Sequence, residues 1–364
     1  MKRKGFWIFW LVVAVALGQG RKSNKEEEEI TQTREILKDP PAAVVAETRR
    51  LTFHVAPLSA KGLLSQQTRD GLKALLRSTG GIVKIRAFVA GSGDLRRARD
   101  IVSETFTERR LPLPALTVVQ VGGLPQVSLE AVAVAKKEVN PKGLIFISGQ
   151  DATSDNPLDP VLPLAEKSLA NLRAAVQGGG ASAAGVLRVT CFLSAINDAG
   201  QIRQKLAAEY PGAALSVVQV QRAPARAVVE CEAVARAGAG AAGGIEFLSP
   251  QGLTRSPNYS QVVRVDAPKL AFSGSQTAFG FQESDARLAF ERLGRELEQH
   301  RTSLKDVIMS SIYPLSASLA DQVRKVRFEF YDRSRPPAST MLPFDGLPSM
   351  DASFSVDVVA VVSR

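Results

Sequence analysis

Apolar positions along the chain follow two spacings, and the same succession of spacings occurs three times. Leucines at helical spacing, such as Leu72, Leu75 and Leu76, predict amphipathic helices, whereas runs rich in valine predict strands. Each pass predicts a strand, a helix, a second strand, a second helix and a closing pair of strands around a proline turn. The helices are predicted over Gln66–Arg77, Asp94–Phe106, Leu164–Val176, Asp198–Tyr210, Ser284–Gln299 and Ser318–Phe330.

This repetition predicts three units of similar fold. Unit one covers 40–137, unit two 138–236 and unit three 245–364, with a glycine- and alanine-rich flexible linker at 237–244. In each unit, one mixed sheet should be covered by two helices, which is an α+β arrangement. The predicted fold class is therefore α+β, in three diverged copies.

The N-terminus has the pattern of an export signal. Three basic residues at 2–4 precede the apolar run Phe6–Leu17, and a small residue follows at Gly18. A run of this length is too short to span a bilayer comfortably. We therefore expect a signal peptide at 1–20, a charged spacer at 21–39, and a periplasmic or secreted product. The alternative is a membrane tether formed by an uncleaved signal.

The charge of the chain permits an acidic partner but does not require one. The formal charge is +10, and aromatic residues make up 6% of the chain. A basic protein can bind RNA or anionic lipid. However, no run of lysine and arginine is interleaved with aromatic residues, so we interpret the charge as an arginine-rich soluble surface and expect no nucleic-acid partner.

The few cysteines and histidines exclude several kinds of site. Two cysteines cannot form a disulfide framework or a cysteine-rich metal site. Cys191 and Cys231 each lie in a valine-rich segment, so we expect buried thiols, although an exported protein could oxidise the pair. His54 and His300 have no second ligand at metal spacing, and we expect neither a metal nor a cofactor.

Several short motifs occur in the order found in one known family. Ser148–Gln150 follows an apolar strand, Pro257–Gln261 precedes Ser273–Gly274, and Glu130 and Glu232 each begin a Glu-Ala-Val-Ala strand. Together they resemble the Rid (reactive intermediate deaminase, or YjgF) family over nearly the whole chain. The resemblance implies chorismate-mutase-like units that form trimers with pockets at their interfaces. Three copies in one chain should then close into a monomeric pseudo-trimer; separate beads on a string are the alternative.

The resemblance also shows where the family's chemistry is incomplete. Rid deaminases hydrolyse enamines and imines made by pyridoxal-phosphate enzymes, and an arginine grips the substrate carboxylate through its planar fork. Leu116, Leu215 and Ser339 occupy the arginine position here. Arg226 completes a Pro-Ala-Arg motif, but it lies six residues before Glu232, in the turn and out of register. Standard deaminase activity should therefore be weak or absent, and Ser339→Arg is the substitution expected to restore it.

Other family positions are retained. The acidic position of the last strand supplies three weak catalytic candidates: Glu130, Glu232 and Asp357. The candidates for binding substrate are Tyr259, Ser148, Gly149, Ser273 and Gly274. Each also has a structural interpretation, as a carboxylate bonded to nearby backbone, a Ser-Gly turn or a packed tyrosine.

These observations lead to one functional expectation with two alternatives. We expect an exported Rid-like protein with degenerate pockets that binds a small metabolite or a partner without standard deaminase activity. The first alternative is a residual imine or enamine deaminase that uses Glu232, Asp357 and Tyr259. The second is a basic nucleic-acid binder or endoribonuclease-like protein.

Overall fold

The computed structural model describes residues 37–59, 61–91, 95–123, 127–221 and 226–363. The predicted signal peptide and nearly all of the spacer lie outside the described residues. The helices are α1 (Leu64–Ser78), α2 (Leu95–Glu108), α3 (Val161–Gly178), α4 (Ala199–Glu209), α5 (Glu283–Glu298) and α6 (Ala317–Val326). The strands are β1 (Ala43–Glu47), β2 (Leu51–Val55), β3 (Gly81–Ala90), β4 (Ala115–Val121), β5 (Val127–Val134), β6 (Leu144–Ser154), β7 (Val186–Leu193), β8 (Ala214–Gln219), β9 (Ala227–Arg236), β10 (Ile245–Leu248), β11 (Val262–Val265), β12 (Lys269–Ser273), β13 (Gln276–Phe279), β14 (Val307–Pro314), β15 (Ala338–Met341) and β16 (Ala352–Val361).

The strands form three mixed sheets, which confirms the predicted α+β class. Sheet I has the order β2-β5-β3-β4, and sheet II the order β10-β11-β6-β9-β7-β8. Sheet III has the order β1-β12-β16-β14-β15, with β13 paired to β16. Two helices contact each sheet: α1 and α2 on sheet I, α3 and α4 on sheet II, and α5 and α6 on sheet III.

Strands are exchanged between the predicted units. Strand β1, which lies in the range predicted for unit one, pairs with β12 of sheet III. Strands β10 and β11, in the range predicted for unit three, extend sheet II by pairing onto β6. These short strands, together with β13, were not predicted, because each is too short to show a clear alternation. Sheets II and III therefore each contain strands from more than one predicted unit.

Both faces of the sheets are buried. On one face, each sheet packs its own helices over an apolar core. On the other face, residues from all three sheets form two further hydrophobic clusters. One of them contains Phe88 of sheet I, Phe192 of sheet II and Tyr313 of sheet III. Burial on both faces explains why the strands read as continuous apolar runs.

The cysteines and the linker differ from expectation. Cys191 and Cys231 form a disulfide between neighbouring strands β7 and β9, so the expectation of two buried thiols was wrong. Their Cα atoms are 4.1 Å apart, since the register places the two residues directly opposite each other. Backbone hydrogen bonds hold the first residues of the Gly/Ala linker: the amide of Ala237 donates to the carbonyl of Gly143, and the amide of Gly238 donates to the carbonyl of Gly180.

Within the described ranges, no helix is long and apolar enough to cross a membrane. The same residues contain no group of three or more His, Cys, Asp or Glu side chains that could hold a metal ion.

Candidate functional site

The three predicted catalytic carboxylates meet in the interior between the sheets. Glu130, Glu232 and Asp357 occupy equivalent positions on β5, β9 and β16. They lie among three buried cations, and we call these six residues the charge cluster: Lys84, Arg86, Glu130, Arg188, Glu232 and Asp357.

Arg86 is the centre of the charge cluster. Its Nη2 atom lies 2.6 Å from Glu130 Oε2 in the same sheet and 2.7 Å from Glu232 Oε1 in sheet II. Thr190 Oγ1 donates to the other oxygen of Glu130 at 2.7 Å. Burial raises the pKa of Glu130, but the charges of Arg86 and Arg188 outweigh burial and hold that pKa below its ordinary value. The lowered pKa favours the charged form of Glu130, which is paired with Arg86 and Arg188.

The third carboxylate is paired in the same way. Lys84 Nζ lies 3.3 Å from Asp357 Oδ2 and donates to Thr117 Oγ1 at 2.7 Å. The hydroxyls of Thr117 and Tyr313 donate to the same Asp357 oxygen at 2.6 and 3.0 Å. Since all three carboxylates are buried and charge-paired, their placement favours the structural interpretation over proton transfer to a substrate.

A second polar group lies where sheet II meets sheet III. Ser148 of β6 donates through Oγ to the carbonyl of Ser260 at 2.6 Å and accepts the amide of Ser339 at 2.8 Å. Gln150 donates to Gln261 at 2.8 Å. The predicted binding residues of unit two are thus joined to the Pro-Asn-Tyr-Ser-Gln segment of unit three. We call this group, with Tyr259, Glu230 and Arg327, the Tyr259 site.

Glu230 brings an acid to the Tyr259 site. A Cβ atom on Gly149 would lie 1.7 Å from Glu230 Oε1, so only glycine allows this close approach. Burial and the neighbouring charges of Asp151 and Glu232 raise the pKa of Glu230 well above its ordinary value. Burial, followed by the charges of Asp151 and Glu230, also raises the pKa of Tyr259. Because its pKa is raised, the Glu230 carboxyl group stays neutral at a pH where an ordinary glutamate is charged.

Arg327 brings a cation to the clamp position of unit three. Its side chain is 2% exposed, and its Nη1 atom donates to Ser339 Oγ at 3.1 Å. Nη2 donates to the carbonyl of Asn258 at 2.8 Å, while Nε is buried without a partner. Burial lowers the pKa of Arg327 to about 10. No carboxylate among the described residues forms an ion pair with this guanidinium.

At the two equivalent positions the nearby arginines lie differently: Arg96 and Arg99 line the cavity beside Leu116, and Arg203 donates to the carbonyl of Leu215 at 3.3 Å. Leu116 lines an open cavity of about 1200 Å³ between sheets I and III, together with Gly274. Ser273 instead turns inward, where its Oγ accepts the amide of Val358 at 2.9 Å. Leu215 is half-buried. Arg226 is exposed, as expected for a residue in a turn.

Sequence reasoning missed Glu230 and Arg327. Glu230 and Glu232 alternate with Cys231, so both point to one face of β9, and the period of two could have identified the first acid as well. Arg327 lies in a short 3-10 turn after α6, on a different element from Ser339. No local spacing links it to the clamp position.

Comparisons with known proteins agree with part of this picture. Residues 136–237 match the family model described as Endoribonuclease L-PSP. No curated protein matched the chain in sequence. Among solved structures, a YjgF-family protein from Neisseria meningitidis is 16% identical, with 33% of this chain and 96% of that chain covered and a TM-score of 0.25. A Rid-family protein from Yersinia pestis is 14% identical over 33% and 99%, with a TM-score of 0.30. A YjgF-family protein from Mycobacterium tuberculosis is 23% identical over 32% and 99%, with a TM-score of 0.24.

Proposed function

We propose that this chain, whose residues 136–237 match the Endoribonuclease L-PSP family model and resemble the Rid (YjgF) family, binds a small carboxylate metabolite of the 2-oxo or 2-imino acid type at the Tyr259 site. The observation that carries the proposal is the contact of 3.1 Å between Arg327 Nη1 and Ser339 Oγ. It places a guanidinium without a carboxylate partner beside the position where the family resemblance expects the substrate clamp. A buried cation of this kind favours an anionic ligand.

Any residual deamination is confined to the same site. For a 2-imino acid, Arg327 would hold the carboxylate, and neutral Glu230 would donate a proton to the imine nitrogen as water adds to the carbon. The resulting carboxylate of Glu230 would take up the proton that the water gives up, and the adduct would then release ammonia. At Leu116 and Leu215 the clamp residue itself carries no charge, so we expect kcat/KM for 2-iminopropionate below ~10⁴ M⁻¹s⁻¹.

The test compares two arginines of unit three that lie three positions apart in the sequence, Arg324 and Arg327. Arg327→Met should weaken binding of 2-oxobutyrate, measured by calorimetry, by about ten-fold or more, as expected for a lost charged hydrogen bond. Arg324→Met is the control, since Arg324 is exposed and pairs with Asp321. Equal affinities of the wild type and Arg327→Met would overturn the proposal.

The Arg327 contact changes the expectation for Ser339→Arg. A new guanidinium would stand beside a buried cation, and like charges at this distance repel. We therefore expect Ser339→Arg to raise deaminase activity only together with Arg327→Leu.

An endoribonuclease is the second candidate, because of the description of the matched family and the net charge of +10. Cleavage of a labelled RNA that is lost in Glu230→Gln and unaffected by 2-oxobutyrate would favour it over metabolite binding.

We also propose that the protein is exported and monomeric. The Cys191–Cys231 disulfide supports an oxidising compartment, and the clusters shared between sheets support a closed particle. Intact Met1–Gly20 on cytosolic protein, by mass spectrometry, would argue against export. An elongated particle, or a trimer of full chains, in solution scattering would argue against a pseudo-trimeric monomer.

A further inference from the structure

A small cavity lies at the meeting point of the three sheets, next to the charge cluster. Its volume is about 40 Å³, and its wall includes one phenylalanine from each sheet: Phe53, Phe146 and Phe272. A single water needs roughly 10–15 Å³. The central cavity therefore has room for a few waters or one small ion, but not for a metabolite.

The lining of the central cavity is rich in positive charge. Lys84, Arg86 and Arg188 all line it, whereas Asp357 is the one carboxylate in the lining. Glu130 and Glu232 pair with the arginines without lining the cavity.

Arg188 is held by its partners less closely than Arg86 and has one donor without a partner. Its contacts to Glu232 and Glu130 measure 3.3 and 3.5 Å, compared with 2.7 and 2.6 Å for Arg86. Its Nε atom is buried without a hydrogen-bond partner. Its guanidinium also lies 5.7 Å from the centre of the Phe53 ring, so the ring faces this cation. A buried donor without a partner is unfavourable for the fold, so Arg188 is the least well satisfied of the three cations in the lining.

We propose that the central cavity is a binding site for one small monovalent anion, chloride under physiological conditions, held by Arg188 with Lys84 and Arg86 around it. A single-atom anion fits the volume and can accept from several donors at once. This site is separate from the Tyr259 site, and neither proposal depends on the other.

The first experiment uses the unmodified protein. Crystals grown or soaked in sodium bromide should show an anomalous peak in the central cavity, within hydrogen-bond distance of Arg188. In thermal unfolding at constant ionic strength, replacing gluconate by 200 mM chloride should raise Tm by about 2 °C or more, since a ligand that binds only the folded state stabilises it. The absence of a peak in this cavity, or equal Tm values in both salts, would overturn the proposal.

The second experiment locates the effect. Arg188→Met should abolish the chloride-dependent rise in Tm, whereas Arg173→Met, which removes an exposed pair with Glu209, should keep it. A rise that persists in Arg188→Met would place the ion elsewhere and overturn the assignment. If Arg188→Met does not fold, the bromide peak in the unmodified protein decides.

Discussion

The charge cluster makes a quantitative prediction for Arg86→Met. The substitution removes the contacts of 2.6 and 2.7 Å to Glu130 and Glu232. Both carboxylates are 1% exposed and keep the longer ion pairs with Arg188, and Glu130 also keeps its hydrogen bond from Thr190. Breaking a buried ion pair by removing one partner typically costs roughly 3–5 kcal/mol, because a buried charge loses its compensation. We expect a loss of this size in the free energy of unfolding, measured by urea denaturation at pH 7.

Two comparisons separate this effect from lost packing. Adding Glu232→Gln to Arg86→Met should recover part of the loss, because the amide does not need the missing cation. Arg173→Met is the exposed control and should cost no more than ~1 kcal/mol. A loss below ~1 kcal/mol for Arg86→Met, or no recovery in the double variant, would refute the reasoning.

Two further predictions concern sheet II. The pKa of Glu230 is raised on folding, so the unfolded chain loses its proton near the ordinary value of 4.5 and the folded protein at higher pH. Stability should fall across that window, by up to about 1.4 kcal/mol per pH unit, and Glu230→Gln should flatten the profile of Tm against pH; an unchanged slope would contradict the raised pKa. The double variant Cys191→Ala/Cys231→Ala should lose roughly 2–4 kcal/mol of unfolding free energy, and a reductant should have the same effect on the wild type but none on the variant.

Much of the fold could be predicted because its signals are local. The helices α1 to α5 lie within a few residues of their predicted bounds, while α6 ends at Val326, before the predicted Phe330. The resemblance to the Rid family is confirmed for 136–237, where the family model matches. For the other two units, the tandem copies rest on the repeated order of elements. The strand exchange could not be predicted, because β1 and β12 pair across more than 200 residues and no local pattern records that partner.

The site was predicted less well, because the register of a strand does not reveal what its residues face. In unit two, the Glu-Ala-Val-Ala sequence led to Glu232 as the candidate acid. Glu232 lies in the charge cluster, whereas the acid of the Tyr259 site is Glu230. The sequence predicts no arginine at the clamp position assigned to Ser339, and the cation that lies beside Ser339 comes from Arg327, on another element. Whether the site residues bind or catalyse remains a prediction.

The cations of the charge cluster are distributed unequally over the three sheets. The carboxylates are equivalent in all three sheets, but the cations are not. Lys84 and Arg86 come from sheet I and Arg188 from sheet II, while Met309 and Ser311 take the equivalent places in sheet III. Three identical subunits could not distribute charge in this unequal way, whereas three sheets of different sequence in one chain can. Each cation of sheet I contacts a carboxylate of a different neighbour: Arg86 contacts Glu232 of sheet II, and Lys84 contacts Asp357 of sheet III. Exchanging the places of sheets II and III would keep a carboxylate beside each cation of sheet I, but it would take Arg188 and Thr190 away from Glu130. We infer that these polar contacts favour the observed arrangement of the three sheets, even though well-packed apolar residues would give comparable stability.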